Sequence, residues 1–245
     1  MTRRELVARR HTALLIAIAG MFAVRPLVGD TRAAVVVFSL ASLLVLLAAL
    51  LNIQVDELIG ERAALLAQRR RRTIIGWVLA VPAIAERVWL LFTPTSHRAL
   101  LIGSLLWLLF IAYVTWTQLR SLLRQREVTG ETISMSISVY LLFGLTWALL
   151  YISMFARHPE AFSFGGSSGI SAEQAFPIFI YFSLTTLSTI GFGDITPLSL
   201  QARYAAVAEG ITGQFYLAIL VARLVGMQMS RAATRSESRA QRDDK

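Results

Sequence analysis

Long apolar runs separated by short polar links organise this chain. Residues 12–28, 33–51, 73–92, 99–119, 133–155 and 202–227 each approach or reach the length a helix needs to cross a bilayer. A seventh run, 175–188, is apolar but too short to cross. Pro177 is expected in its first turn, where a missing N–H costs nothing. The link 52–72 has a pattern of its own. Asp56 and Glu57 open it, Leu58, Ile59, Leu65 and Leu66 recur at helical spacing, and Arg69, Arg70, Arg71 and Arg72 close it. Acid first and base last suits a helix dipole, so this link reads as an interfacial helix or an extension of the second span. The third run is the least regular, holding Pro82, Glu86 and Arg87.

Composition agrees with the pattern. Of 245 residues 56% are hydrophobic and 16% charged, and the mean hydropathy is +0.60, outside the range of ordinary soluble domains. With no cysteine there is no disulfide framework or thiolate metal site. The three histidines, His11, His97 and His158, are far apart in sequence, which disfavours a histidine metal centre. The net charge of +9 is spread between the apolar runs, as topology determinants are, and forms no nucleic-acid patch. No cleavable leader is expected. Seventeen basic residues fall in the head, the 52–72 and 120–132 links and the tail, against five on the other side. The positive-inside rule therefore predicts six spans, both termini cytoplasmic, and the 156–171 loop and Asp194 outside. The cell membrane is the expected location.

One stretch does not fit a lipid environment. Thr185-Thr186-Leu187-Ser188-Thr189-Ile190-Gly191-Phe192-Gly193-Asp194 is rich in hydroxyls, has two glycines one residue apart and ends in a carboxylate. Irregular backbone at membrane depth is tolerated where it lines a wet cavity. Successive carbonyls can face one axis only if the backbone alternates with positive-φ conformations, which glycine adopts cheaply. A tight Gly-x-Gly-Asp turn is the plain alternative.

Residues 186–194 resemble the potassium-channel pore signature T-x-x-T-x-G-Y-G-D, with Phe192 in place of the usual tyrosine. The resemblance extends over residues 133–227, implying a pore domain of two spans around a re-entrant helix. It implies that Thr189, Ile190, Gly191, Phe192 and Gly193 form a selectivity filter. There K+ would be held by the carbonyls of Thr189, Ile190, Gly191 and Phe192 and by the Thr189 hydroxyl. Four copies are needed to close such a ring, so a homotetramer is implied. Thr186, Ser188, Asp194, Tyr181 and Phe182 would support the filter. Gly213, with Gly210 a turn before it, falls at the family's gating hinge; equally, the two glycines let the last helix pack close to the re-entrant one. Gln214, Leu217, Val221 and Val225 share a helical face and would line the inner cavity, a spacing that also suits core packing. Glu209, an acid inside the last span, reads as a hydrogen-bonded brace to a Ser or Thr near the filter, with a titrating gate as the other reading. His158 and Glu160 are read as solvated loop residues. Gly165-Gly166-Ser167-Ser168-Gly169 is reminiscent of rhomboid serine proteases, but no histidine lies on a later helix to act as base.

Four spans ahead of a pore module resemble the voltage-gated-like architecture, yet residues 99–119 carry no charge. Voltage sensing needs several gating charges, so little voltage dependence is expected. Arg69, Arg70, Arg71 and Arg72 mark the cytoplasmic side and could also hold anionic lipids. The tail, 228–245, is shorter than a domain, so control is expected through the membrane, the filter, ions or a separate protein.

The expectation is an all-α membrane protein: a four-span region over 1–132, a pore domain over 133–227 and a polar tail over 228–245. It would be a passive potassium channel without cofactor, not an enzyme. The alternatives are a weakly selective cation channel and a non-conducting sensor or scaffold.

Overall fold

The computed structural model describes residues 10–28, 63–90, 97–125, 128–165 and 169–243, with scattered helical positions between 37 and 49. The basic head, the turn at Asp30 and Arg32, much of the second span, the link at 52–62 and the turn at Pro94 lie outside the described residues. So do Gly166, Ser167 and Ser168 of the rhomboid-like stretch, and the side chains of Arg69, Arg70 and Arg72.

The described elements are α1 (Arg10–Val28), α2 (Ala63–Leu90), α3 (His97–Arg124), α4 (Gly130–Arg157), a 3-10 turn (Pro159–Ala161), β1 (Phe162–Phe164), α5 (Ala172–Leu187), β2 (Ile195–Pro197) and α6 (Leu200–Asp243). Among the described residues three helical segments are long and apolar enough to cross a membrane: Arg98–Arg124, Gly130–Arg157 and Leu200–Met229. Thr12–Ala23, Leu40–Ala49, Thr73–Glu86 and Gln174–Leu187 are shorter apolar stretches.

Several boundaries differ from the sequence reading. The segment from Ala63 to Arg72 is not separate from the third apolar run; it continues unbroken into it as α2. Residues 64–72 are good helix formers with no glycine or proline among them, so nothing stops the helix before Thr73. Residues 228–243 likewise prolong α6. Pro177 is not in the first turn of its helix. The helix starts earlier, at Ala172, because Ser171 and Gln174 form a reciprocal capping box. Pro177 therefore lies inside α5, where it cannot donate to the carbonyl four residues back.

Helix α4 is the hub. Thr129 caps its start, Glu131 lies in its first turn and Arg157 in its last, charges that oppose the helix dipole at each end. The five-residue step from Arg124 to Gly130 makes α3 and α4 antiparallel neighbours, and theirs is the most extensive helix contact. Helices α1, α5 and α6 also pack on α4, and α2 packs on α3. Thr12 of α1 faces Glu131 and Ser134 of α4, donating to the Glu131 carboxylate at 3.0 Å. One continuous core joins Leu14, Ile18 and Met21 of α1, Phe110 and Val114 of α3, Leu142 and Ile152 of α4, and Phe179 of α5. The described part of residues 1–132 is thus not a detached unit: α1 and α3 lie directly on α4.

The 156–171 loop holds structure that its composition did not announce. Strand β1 pairs antiparallel with β2, with Phe162 opposite Pro197 and Phe164 opposite Ile195. The Leu198 N–H donates to the Ala161 carbonyl at 2.8 Å. This small ribbon ties the segment before α5 to the segment after the glycine-rich stretch.

Candidate ion-binding site

Helix α5 ends at Leu187, and the chain then turns back on it. The Thr189 amide donates to the Thr186 carbonyl at 3.0 Å, and the Ile190 and Gly191 amides both donate to the Thr185 carbonyl, at 2.8 and 3.2 Å. These bonds fix the amides toward α5. Among the described residues, no hydrogen bond reaches the carbonyls of Thr189, Ile190, Gly191 or Phe192. All of residues 189–194 are exposed, Ile190 at 59% and Phe192 at 67%. Carbonyls without a described donor, on exposed residues between two apolar helices, are groups that could coordinate a cation.

Backbone handedness alternates through this row. Gly191 has φ +53° and Gly193 φ +80°, as the sequence led one to expect. Thr189 also has a positive φ, +59°, the one non-glycine case among the described residues. A β-branched residue is a genuine outlier there, and such strain persists only where the surroundings impose it. The Gln214 amide of α6 donates to the Thr189 hydroxyl at 3.3 Å, which joins the start of the row to the last helix.

The supporting residues divide into two groups. Tyr181 stacks on Phe192, with ring centroids 6.2 Å apart and planes at 4°, and its hydroxyl neighbours the Asp194 carboxylate. The Asp194 carboxylate also accepts from the Ile195 amide at 3.1 Å. Phe182, expected beside the same row, turns the other way. It is buried in an aromatic cluster with Tyr151, Phe162 and Phe179. Thr186 contributes its carbonyl, while the Ser188 hydroxyl folds back onto the Leu184 carbonyl at 2.7 Å.

Glu209 is fully buried and makes the brace expected of it. One oxygen accepts from the Tyr151 hydroxyl of α4 at 2.6 Å, and the other meets the Ser183 hydroxyl of α5. Ser183 also lies 2.7 Å from the Gly144 carbonyl. One side chain therefore knots α4, α5 and α6 together just behind the carbonyl row. Ser183 belongs to the class of partner the sequence suggested. Tyr151 was not foreseeable, because it lies 58 positions away and aromatic residues on α4 are plentiful.

Gly213 permits a backbone contact: a Cβ there would run into the Leu187 carbonyl at the end of α5. Gly210 is looser, with the Thr186 carbonyl 3.8 Å from such a Cβ. Gln214, Leu217, Val221 and Val225 are all exposed, on the side of α6 away from α4. The His158 imidazole lies 3.4 Å from the Glu160 carboxylate, and both side chains are exposed. No cluster of three metal-ligating side chains occurs among the described residues.

Among curated proteins, none matches the chain. Residues 139–229 match a family model described as Ion channel. That match runs from within α4 through α5 and the carbonyl row into α6, so these residues are an ion-channel pore domain on a multi-pass membrane protein, and the chain is not an enzyme.

Proposed function

We propose that the chain is a potassium-selective channel in which four copies surround one conduction path. The observation that carries this reading is the carbonyl row. Alternating handedness at Thr189, Gly191 and Gly193 turns successive peptide planes the same way, and the carbonyls from Thr189 to Phe192 accept from no described group. One copy supplies one wall of a cage; four around an axis would replace a potassium ion's hydration shell. The Thr189 hydroxyl, held by Gln214, adds a ligand at the inner end. Because α5 ends against the row, the negative end of its dipole favours a cation there.

The fourfold arrangement is supported by what α6 leaves uncovered. Tyr204, Val207, Ile211, Phe215 and Ile219 are large, apolar and exposed on a helix that packs on α4 and α5 by another face. In this reading those residues meet neighbouring copies, and Gln214, Leu217, Val221 and Val225 line the cavity. Six spans with cytoplasmic termini complete the topology. The fourth span, α3, carries its charges only at its ends, on His97 if protonated, Arg98, Arg120 and Arg124, so strong voltage gating is not part of the proposal. Anionic lipid at the basic run around Arg71 remains part of it, that side chain being exposed.

The test is flux through purified protein in liposomes, first down a potassium gradient and then down a sodium gradient, each with and without barium. Potassium-only flux that barium blocks is the expected result. Equal sodium and potassium flux would replace the proposal with a weakly selective cation channel.

A further inference from the structure

At the cytoplasmic end of the molecule a second, smaller cluster lies apart from the main core. Leu122 of α3 and Met135 and Val139 of α4 are its buried centre, and Tyr216 and Leu220 of α6 pack against it. The Tyr216 hydroxyl donates to the Ser136 carbonyl of α4 at 2.7 Å. Two turns further along, Arg223 reaches across to α3. Its guanidinium donates to the carbonyls of Leu122 at 2.9 Å, Leu123 at 2.7 Å and Gln125 at 2.6 Å.

The chemistry of that contact is specific. The last carbonyls of a helix have no donor four residues on, and the helix dipole leaves negative charge there. A guanidinium offers a planar fork of five N–H groups, enough to serve three carbonyls at once; a lysine ammonium is a point charge that cannot span them. Arg120 and Arg124 stand at the same end of α3 without filling this role in the described contacts: Arg120 lies over the Trp116 ring at 4.5 Å, and Arg124 is exposed. Arg223 is also the one charged residue of α6 between Glu209 and Arg231.

The position along α6 gives the contact a consequence. Tyr216, Leu220 and Arg223 share one helical face below Gly213, while Gln214, Leu217, Val221 and Val225 lie on the far side. The geometry points to Arg223 as a latch that holds the lower half of α6 against its own α3–α4 hairpin and so away from the conduction axis, giving the first four helices a grip on the gate. The sense of the latch follows from the faces. It pulls on the side opposite the cavity-lining residues, so it favours the wide, conducting arrangement. This inference rests on the pore reading for the location of the axis.

The experiment uses the full chain in liposomes with Arg223→Gln and Arg223→Lys. Single-channel records should show open probability falling about tenfold in both, with unitary conductance, potassium-to-sodium ratio and oligomer size unchanged. Unchanged or raised open probability would overturn the latch. A second arm needs no flux. Spin labels at Arg124→Cys and Gly226→Cys, both exposed positions, are placed in assemblies diluted with unlabelled chain, with and without Arg223→Gln. The distance between labels within one chain should lengthen and broaden when Arg223 is replaced; an unaltered distribution would overturn the latch even if the protein conducts, and a lengthened one without conduction would uphold Arg223 as the hold of α6 on α3 while overturning the pore reading and, with it, the gate.

Discussion

Helices α4 and α6 are both apolar and long enough to span a bilayer, yet they are finished to different degrees within one chain. In α4 61% of the apolar window is buried, enclosed by α1, α3, α5 and α6; in the α6 window the figure is 11%. Hydrophobicity does not explain the contrast, since lipid accepts leucine as readily as a protein core does. The difference lies in what each surface is for. The α4 surface is shaped to neighbours in its own chain, down to the Thr115 and Thr146 hydroxyls meeting at 3.2 Å across the α3–α4 contact. The α6 surface is largely uncovered within the chain, and in the proposed assembly it and the carbonyl row beside it meet other copies and a dehydrated ion.

The largest effect should come from the unfinished side. Gly191 has φ +53°, and an alanine there is strained whatever space surrounds it. Gly191→Ala should lower potassium flux by about a hundredfold or more while oligomer size stays that of the parent. Undiminished flux would end the assignment of residues 189–193 as a filter.

The contrast itself can be broken by a pair of substitutions. Leu142 is fully buried on α4, so Leu142→Ala opens a cavity and should cost about 2–5 kcal/mol of chain stability, seen as a lowered unfolding midpoint in detergent. Phe215 on α6 is 65% exposed, so Phe215→Ser should leave that midpoint nearly unmoved and instead weaken assembly, read by cross-linking or native mass. Equal effects on both readouts would mean that the two helices are not distinct in the way described.

Smaller and more local is the brace behind the row. Glu209→Gln keeps one acceptor for Tyr151 and one polar group for Ser183, and should retain most of the parent's stability and flux. Glu209→Leu leaves both hydroxyls facing an apolar group and should cost about 1–3 kcal/mol. A leucine variant as stable as the glutamine variant would reduce Glu209 to a packing residue.

What was legible in the sequence followed from local rules. The helical segments Arg98–Arg124, Gly130–Arg157 and Leu200–Met229 are runs of apolar residues, and the positions of Gly191 and Gly193 announce where φ turns positive. The positive φ of Thr189 could not be read in this way, because nothing intrinsic to threonine favours it; the turn is imposed by the amides of Thr189 and Ile190 reaching back to α5. Pairing of Phe162–Phe164 with Ile195–Pro197 was hidden for a different reason. Three residues are too few to display a period, and their partners lie beyond α5. Glycine and serine around β1 suggested a plain loop. Tyr151 on Glu209 and Arg223 on α3 are contacts between helices, set by which faces meet, and a linear pattern fixes faces only within a helix. The junction at Thr73 was misplaced because the charge pattern of 52–72 was read as a unit set apart from the run after it, whereas its arginine-rich end, from Ala63, is continuous with that run.

The most direct measurement is the position of the ion. Crystals of the full chain grown with rubidium in place of potassium would locate the cation by its anomalous scattering. The account predicts a line of peaks on a fourfold axis, ringed by the carbonyls of Thr189, Ile190, Gly191 and Phe192 from four copies. Peaks confined to surface carboxylates such as Asp194, or an assembly in which those carbonyls face away from any shared axis, would contradict it.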